Sequence, residues 1–350
     1  MVQEGRVVQK RGIGKDAEPT VKQAINEFDV LADVIRQYYD LGDIETPRQL
    51  EDAHQRRHRK LVVNTSAGKF LVKTYRRDPV ILDSLRFQHR LSDHLAENGI
   101  AVARIQRAKD GKGIVELDTW ALELQAFVTG EPMQISQETL RIAAETLGRF
   151  HHVCRDIPCP PRDARMWRFS EVPRASFGQL YELAKTQGDE KLATDCCNDL
   201  ALFLHEAAQK LNWDARNNFE TGLIHGDYHG GNLLFDGNRL TALIDLEFAG
   251  AGCYLEDLAY ALSNLSIRTA FADDRLTYRT NLLLDNYTRF RSLSYQEEVA
   301  LYYAVGIKHV ATVSYQLVQL GGELAGLNAI EWMQRLRQQC AWLAQRAAKR

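Results

Sequence analysis

The chain has 350 residues, of which 45% are hydrophobic and 26% are charged, with a formal net charge of −2 at pH 7. This composition is typical of a water-soluble globular protein, and the length suffices for two core-bearing domains or one two-lobed unit. The small net charge and the lack of an 18-residue apolar run argue against nucleic-acid and membrane partners.

Residues 1–20 are polar and aperiodic, which predicts a disordered tail. They contain no apolar core of a secretory signal, so a cytoplasmic location is expected. The six cysteines show neither C-x-x-C spacing nor a nearby zinc-type histidine, which agrees with reduced thiols in that compartment. From Val21 to Tyr39, apolar residues recur at helical spacing and predict the first helix.

A strand is predicted over 44–50, although Pro47 weakens it. The β-rich runs 61–64 and 70–75 flank a Ser-Ala-Gly turn and predict a hairpin. The second run places Lys73 inside a strand, where a buried ammonium group needs a partner. In kinases, a lysine on such a strand holds the α- and β-phosphates of ATP. A surface lysine on an edge strand is the alternative interpretation.

The remaining elements follow from periodicity. An amphipathic helix is predicted over 81–98, and further strands are predicted over 102–108, 113–117 and 119–129. The second half is predicted to be mostly helical, with helices over 137–154, 192–211, 276–290, 295–320 and 330–348. The region 166–190 has no readable pattern.

The segment 223–250 differs from this helical background because polar residues alternate with apolar runs. An Asp-Gly turn at 236–237 between two apolar runs is a strong hairpin signal. Antiparallel pairing across a short turn would bring the residues before the first strand, Asp227 and Asn232, beside Asp245 at the end of the second.

This arrangement has a chemical meaning. Phosphoryl transfer needs a carboxylate beside the acceptor hydroxyl and oxygen ligands for Mg²⁺. Asp227 offers the carboxylate, while Asn232 and Asp245 offer an amide oxygen and a carboxylate to the metal. The five-residue step from Asp227 to Asn232 equals that of the kinase loop H-R-D-x-x-x-x-N, and Asp245 then takes the place of the D-F-G aspartate.

Three blocks in chain order resemble the group of aminoglycoside phosphotransferases, choline kinases and homoserine kinases, which are small-molecule kinases with a protein-kinase-like fold. The blocks read HGDYHGGN at 225–232, IDLE at 244–247 and DLA at 257–259. The resemblance extends from about residue 30 to the C-terminus and is strongest over 223–260.

The resemblance implies an α+β, two-lobed fold. The small, β-rich N-lobe would span 21–128 and bind the nucleotide, and the larger, mainly helical C-lobe would span 129–350 and hold the acceptor pocket. The hinge between them would lie near 125–128, so main-chain groups at Gln125 and Phe127 are expected to meet adenine.

The resemblance also implies a partner for Lys73, and here the chain departs from the family pattern. Gln88 stands where the helix glutamate that pairs with the strand lysine is expected. Its neutral amide can accept a hydrogen bond but supplies no opposite charge. This departure either weakens the positioning of Lys73 or shifts its partner to another acid such as Glu97. The basic run 54–60, where the family has a phosphate-covering loop, contains no glycine. Its charges either neutralise phosphates or form a solvated turn.

Three further residues are expected to support the site. By resemblance, His225 braces the catalytic loop and Asp257 ties down the backbone of that loop. An acid at position 257 would also suit the N-terminal cap of a helix. Glu247 would either approach a second metal or the acceptor, or take a hydrogen-bonded supporting role.

The resemblance therefore implies an ATP- and Mg²⁺-dependent kinase that phosphorylates a hydroxyl of a small metabolite or antibiotic. A protein acceptor is disfavoured because no A-P-E segment is evident. A non-catalytic nucleotide-binding scaffold is favoured by Gln88 and the glycine-free run, but the intact Asp227, Asn232 and Asp245 argue against it. Nothing in the sequence requires nucleotidyl transfer, and the acceptor itself is not encoded in any readable feature.

Overall fold

The computed structural model describes residues 27–50, 59–161, 168 and 171–349. The predicted tail and most of the basic run 54–60 lie outside these residues. Within them the chain forms a small antiparallel sheet followed by a larger helical part, which confirms the predicted α+β, two-lobed fold. The boundary between lobes at residue 128 stays a prediction.

Six strands form the small sheet in the described residues, in the order β1-β2-β3-β6-β4, with β5 also paired to β6. Their bounds are β1 Arg48–Gln49, β2 Arg59–Thr65, β3 Gly68–Arg76, β4 Ile105–Gln106, β5 Ile114–Glu116 and β6 Trp120–Ala126. The predicted hairpin is confirmed as β2 and β3. The strand predicted over 44–50 shrinks to β1 and a bridge at Ile44, because Pro47 has no N–H to donate.

One face of this sheet is covered by the first helix, α1, Glu27–Tyr38. Apolar side chains from the helix and the strands form a closed cluster there that includes Leu31, Ile35, Val63, Val72 and Leu122. The cluster follows from the alternation of the strands, since successive side chains point to opposite faces. The other face carries a smaller apolar cluster, which includes Ile114 and Ala121, and the charged residues described below.

The second helix, α2, Pro79–Glu97, begins at Asp78, whose side chain accepts the N–H of Val80 at 2.9 Å. Proline at the first helical position suits this start because its missing N–H would have no helical partner. Leu82 and Leu85 pack on the sheet, whereas Leu91 packs into the helical part. The helix therefore joins the two parts of the molecule.

The helical part is built around one large apolar cluster. Its α-helices are α3 Gln137–Val153, α4 Arg174–Gln187, α5 Glu190–Lys210, α6 Trp213–Arg216, α7 Tyr254–Ala261, α8 Asp273–Tyr287, α9 Tyr295–Gln319 and α10 Ala329–Ala347, and a π-helix, Leu262–Ile267, follows α7. Capping boxes start α3, α9 and α10 at Ser136, Ser294 and Asn328. Among the described helices, none has the length and apolar character needed to span a bilayer.

Short strands between the helices position the polar segment. They are β7 Glu131–Pro132, β8 Thr221–Ile224, β9 Leu233–Asp236, β10 Arg239–Leu243, β11 Gly250–Cys253, β12 Glu323–Leu324 and β13 Leu327–Asn328. The hairpin predicted around 236–237 is confirmed as β9 and β10. Its last residue, Leu243, donates its N–H to the carbonyl of Ala101 at 2.8 Å and forms a parallel bridge with Val102. This contact joins the hairpin to the segment after α2.

Candidate active site

The loop that carries Asp227 is fixed by a carboxylate from α7. The buried carboxylate of Asp257 accepts the N–H of His225 at 2.6 Å and the N–H of Gly226 at 2.8 Å. Burial alone would raise the pKa of Asp257, but His151 and the neighbouring donors hold it below its ordinary value. The ionised carboxylate therefore anchors two successive peptide groups, as the resemblance implied.

The second role expected of Asp257, capping a helix, is wrong. Helix α7 begins after Cys253, and the carboxylate of Glu256 accepts the N–H of Cys253 at 3.3 Å. Asp257 lies inside the first turn of that helix, one residue beyond the cap interaction. Its side chain is thereby free of capping and turns to the loop.

His225 links the loop to the end of the hairpin. Its Nε2 donates to the carbonyl of Ile244 at 3.1 Å, and its Nδ1 accepts the N–H of Asp227 at 3.3 Å. This pair of partners requires the neutral ring with the proton on Nε2. Burial lowers the pKa of His225, which agrees with that neutral form. Both ring nitrogens of His225 are therefore engaged by main-chain groups of the loop and the hairpin.

The carboxylate of Asp227 contacts two side chains. Nδ2 of Asn232 donates to Oδ2 at 3.2 Å and to the main-chain carbonyl of Asp227 at 2.8 Å. Nε2 of His229 lies 3.4 Å from Oδ2, and burial and the charge of Asp227 raise the pKa of the nearby Tyr260. Burial would raise the pKa of Asp227, but His229, His225 and Lys308 lower it below its ordinary value. Asp227 is therefore an oriented, ionised carboxylate.

Asp245 follows the hairpin in a left-handed conformation, with φ of 59° and ψ of 57°. This is uncommon for a residue other than glycine and costs on the order of 1 kcal/mol or more, a strain typical of functional sites. The N–H of Ile244 donates to the carbonyl of Asn232 at 3.0 Å, so Asp245 lies beside Asn232 as predicted. Its carboxylate faces Nζ of Lys60 at 3.4 Å and Nζ of Lys73 at 3.8 Å.

In the described residues, the amide of Gln88 is not hydrogen-bonded to Lys73. Nε2 of Gln88 donates to Oγ of Ser84, one turn earlier on α2, at 3.1 Å. The alternative acid, Glu97, lies exposed at the last turn of α2. The buried carboxylate near Lys73 is instead that of Glu123, the residue that pairs with Lys73 between β3 and β6.

A cavity of about 550 Å³ opens between the sheet and the hairpin. It is lined by residues that include Lys60, Lys73, Gln125, Phe127 and Asp245. The N–H of Phe127 is donated to the carbonyl of Lys69 at 3.0 Å, so it does not point at the cavity as a donor. Val128, the next residue, also lines the cavity.

The donor set at the hairpin fits a hard divalent cation. Among the described residues, no group of three His, Cys, Asp or Glu side chains could enclose a metal. Asn232 uses its amide nitrogen on Asp227, which leaves its amide oxygen, and Asp245 contributes a carboxylate. Mg²⁺ is commonly bound through one or two such groups together with substrate phosphates. Glu247 lies in the 3-10 turn Leu246–Phe248, and its charge acts on Tyr75 of the sheet.

Four residues of the site were missed from the sequence. Lys60 belongs to the basic run 54–60, but the structure places it on β2, and nothing in the sequence singles out Tyr260. Glu123 has a readable signal, because it is the single acid in a largely apolar strand. The sequence carries no such signal for His89, since its partner, Glu123, lies 34 positions away.

Comparisons with known proteins agree with this geometry. Residues 48–293 match the phosphotransferase enzyme family, APH. A homoserine kinase from Nitrobacter hamburgensis is 26% identical over 280 residues, which cover 78% of this chain and 78% of that protein. The structure of an aminoglycoside phosphotransferase from Alicyclobacillus acidocaldarius has a TM-score of 0.67 at 18% identity, covering 91% of this chain and 95% of that one.

A further solved structure contains a bound nucleotide. It is the amicoumacin kinase hAmiN in complex with AMP-PNP, Ca²⁺ and Ami, with a TM-score of 0.59 at 16% identity and coverage of 90% of this chain and 93% of that one. At such identities these structures support the fold alone. The family match, however, covers well over half of the sequence. The chain therefore belongs to the phosphotransferase enzyme family.

Proposed function

We propose that this phosphotransferase moves the γ-phosphoryl group of ATP to a hydroxyl of a small molecule. One observation carries the proposal. The ionised carboxylate of Asp227 and the strained Asp245 lie at adjoining ends of one hairpin, and Asp245 faces two lysines at the edge of a cavity of about 550 Å³. A kinase needs a carboxylate beside the acceptor hydroxyl, cationic groups on the phosphates and oxygen ligands for a metal ion.

Each residue has a part in the proposal. Asp227 orients the acceptor hydroxyl and takes its proton, because its carboxylate is ionised and held in place. Lys60 and Lys73 hold phosphate oxygens. Asn232 and Asp245 are the residues that would hold Mg²⁺, which when bound supplies positive charge to the phosphates.

Main-chain groups near the hinge would hold adenine. Gln125 and Phe127 line the cavity, but the N–H of Phe127 is already donated to β3. The donor to the base is therefore expected at Val128, with the main-chain carbonyls nearby as acceptors. Nucleotide and divalent-metal use is supported by the complex of the amicoumacin kinase with AMP-PNP and Ca²⁺.

The charges around Asp227 bear on the acceptor. The pKa of Asp227 is lowered by His229, His225 and Lys308, of which Lys308 is the cation. Nζ of Lys308 lies 3.7 Å from the ring centre of Tyr260, whose pKa is raised by burial and by the charge of Asp227. A polycationic antibiotic would be repelled by this surrounding, whereas a hydroxy amino acid would not. We therefore place homoserine-type acceptors before amino alcohols, sugars and aminoglycosides.

The first test is nucleotide binding. Thermal unfolding of the wild type and of Asp245→Ala is measured with ATP, with and without Mg²⁺. Stabilisation of the wild type that requires Mg²⁺ and is lost in Asp245→Ala supports the metal-nucleotide site. Asp236→Ala is the matched control, because this carboxylate lies on the same hairpin but is 70% exposed. An absent response in the wild type, with and without Mg²⁺, would contradict both the proposed function and the nucleotide-binding scaffold.

The second test is turnover, followed as ADP release over an acceptor panel. Asp227→Ala should lower kcat by about 10²- to 10⁴-fold, the usual contribution of a positioned base, while Mg²⁺-dependent ATP binding persists. Asp236→Ala again serves as the control. Undiminished turnover in Asp227→Ala would refute the assigned role.

A further inference from the structure

Three charged residues face one another across the small sheet. Lys60 pairs with Lys73 between β2 and β3, and Lys73 pairs with Glu123 between β3 and β6. Residues directly opposite in an antiparallel pair share a face, with Cβ atoms about 4.5–5.5 Å apart. Two lysines in this relation repel each other, and only 6% of Lys73 is exposed to solvent. The row therefore depends on nearby carboxylates.

The helix that packs beside this row does not supply one. Of the three acids on α2, Asp83 is 76% exposed and pairs with Arg86 at 2.7 Å. Asp93 pairs with Arg107, and Glu97 lies exposed in the last turn. None of these carboxylates forms an ion pair with Lys73, so the helix leaves the lysine without a counter-charge.

Asp245 is the carboxylate that pairs with Lys73, at 3.8 Å, and Glu123 supplies a second, buried negative charge from the neighbouring strand. It is 1% exposed, and its Oε1 accepts the hydroxyl of Tyr75 at 3.0 Å and Nε2 of Gln125 at 2.9 Å. Burial would raise the pKa of Glu123, but the hydrogen bond from His89 and the charge of Lys73 hold it below its ordinary value. A buried, ionised carboxylate with its lone pairs occupied has one orientation.

A third hydrogen-bond partner of Glu123, His89, comes from α2. Nε2 of His89 bonds to Oε2 of Glu123, and the ring is buried. The ring packs against Gly113, where a Cβ would clash because it would lie 2.4 Å from Nδ1 of His89. The helix is thus connected to the lysine through a histidine and a strand carboxylate, one residue along from Gln88.

We propose that Glu123, held by His89, is the positioning residue for Lys73. The inference rests on the proposed function, in which Lys73 holds phosphate oxygens. If Asp245 held a metal ion, its charge would be shared with that ion, and Glu123 would remain as the fixed counter-charge of Lys73. Glu123 keeps the ammonium group of Lys73 at the edge of the cavity, and His89 keeps Glu123 from turning away.

The test is Glu123→Gln, which keeps the shape of the side chain and removes its charge. The KM for ATP should rise about tenfold, the size of one lost charge-assisted interaction, while the KM for the acceptor stays the same. Glu116→Gln is the matched control, because Glu116 on the adjacent β5 is 32% exposed and pairs with Arg86. Its KM for ATP should stay within about twofold of the wild type. An unchanged KM for ATP in Glu123→Gln would overturn the proposal.

A rescue experiment distinguishes a positioning role of Glu123 from a purely structural role. Adding Gln88→Glu to Glu123→Gln returns a carboxylate to the pocket from α2, since Gln88 lines the same cavity. Recovery of at least half of the lost ATP affinity supports the proposal. A double variant that binds ATP no better than Glu123→Gln, although both unfold at the wild-type temperature, contradicts it.

A second pair of variants covers the case in which Glu123→Gln does not fold. His89→Gln retains a nitrogen donor for Glu123, whereas His89→Leu retains the volume alone. The KM for ATP should rise in His89→Leu by several-fold more than in His89→Gln. Equal values in the two variants would contradict the proposal.

Failure of this inference is distinguishable from failure of the proposed function. Binding of Mg²⁺-ATP to the wild type is measured by calorimetry alongside the variants. If the wild type does not bind, the proposed function fails and the inference fails with it. If the wild type and Glu123→Gln bind equally well, the inference alone is overturned.

Discussion

In the loop around Asp227, one buried carboxylate accepts the N–H groups of His225 and Gly226, and the histidine side chain closes onto the adjoining hairpin. In the sheet around Lys73, by contrast, side chains from separate elements meet, and the contacts are mostly between charges. The first region is fixed through its main chain and the second through a balance of charge. Main-chain hydrogen bonds persist whatever is bound, whereas a charge balance shifts when phosphates or a metal arrive.

Removing the carboxylate of Asp257 should destabilise the loop region, and we expect this to be the largest of the effects described here. Asp257→Ala leaves two buried N–H groups and His151 without their acceptor, which should cost about 3–5 kcal/mol of unfolding free energy. Asp257→Asn keeps one acceptor oxygen and should fall between this variant and the wild type. Urea denaturation gives the values, with the exposed Asp236→Ala as control. A loss below about 1 kcal/mol for Asp257→Ala would show that the loop does not depend on this anchor.

Lowering the pH should affect the stability of the two regions differently, with a smaller effect than Asp257→Ala. Burial lowers the pKa values of His151 and His225 below their ordinary value near 6.5, so below that pH the unfolded chain binds more protons than the folded one. Stability therefore falls as the pH drops through and below 6.5, by about 1.4 kcal/mol per pH unit for each such histidine. The lowered pKa of Glu123 acts differently, because its contribution is present above about 4.5 and is lost only at lower pH.

Hydrogen exchange at pH 7 and pH 5.5, corrected for intrinsic rates, measures this difference. Peptides containing 223–227 should lose protection at pH 5.5, whereas peptides containing 70–75 should keep it. His152→Gln is the control, since His152 neighbours His151 on α3 but is exposed. Equal loss of protection in both regions would remove the distinction.

Removing one lysine should have the smallest effect and tests the sheet region. Lys60→Met takes away one of the two ammonium groups at Asp245, so the KM for ATP should rise up to about tenfold while the unfolding free energy changes little. Lys112→Met is the matched control, because Lys112 is 74% exposed. An unchanged KM for ATP would leave Lys73 as the phosphate lysine on its own.

The same division explains what the sequence could predict. Asp227, Asn232 and Asp245 lie within 19 residues of one another, and a short turn determines how they meet. Such local geometry follows from turn chemistry and from the alternation of strands. The hairpin and the neighbourhood of its polar ends were therefore predictable from local residues, whereas the α+β, two-lobed fold was implied by the family resemblance.

The lysine region was not predictable in the same way. Whether Glu123 faces Lys73 depends on the registers of β3 with β6, and a shift of one residue would turn it to the opposite face. The contact between His89 and Glu123 has the same origin, because Gln88 and His89 point about 100° apart on α2 and only the packing decides which one binds Glu123.

The bond from the N–H of Leu243 to the carbonyl of Ala101 lies two residues before Asp245 and joins the two parts of the molecule. We expect the small sheet and the helical part to rotate relative to each other about this bond. Any rotation of the small sheet against the helices that keeps this 2.8 Å bond has its axis close to Leu243. Points near a pivot travel little, so Asp245 would stay almost still while the far edge of the sheet, at β1, sweeps the longest arc. Opening the cleft would then move the lysines of the sheet away from a stationary carboxylate.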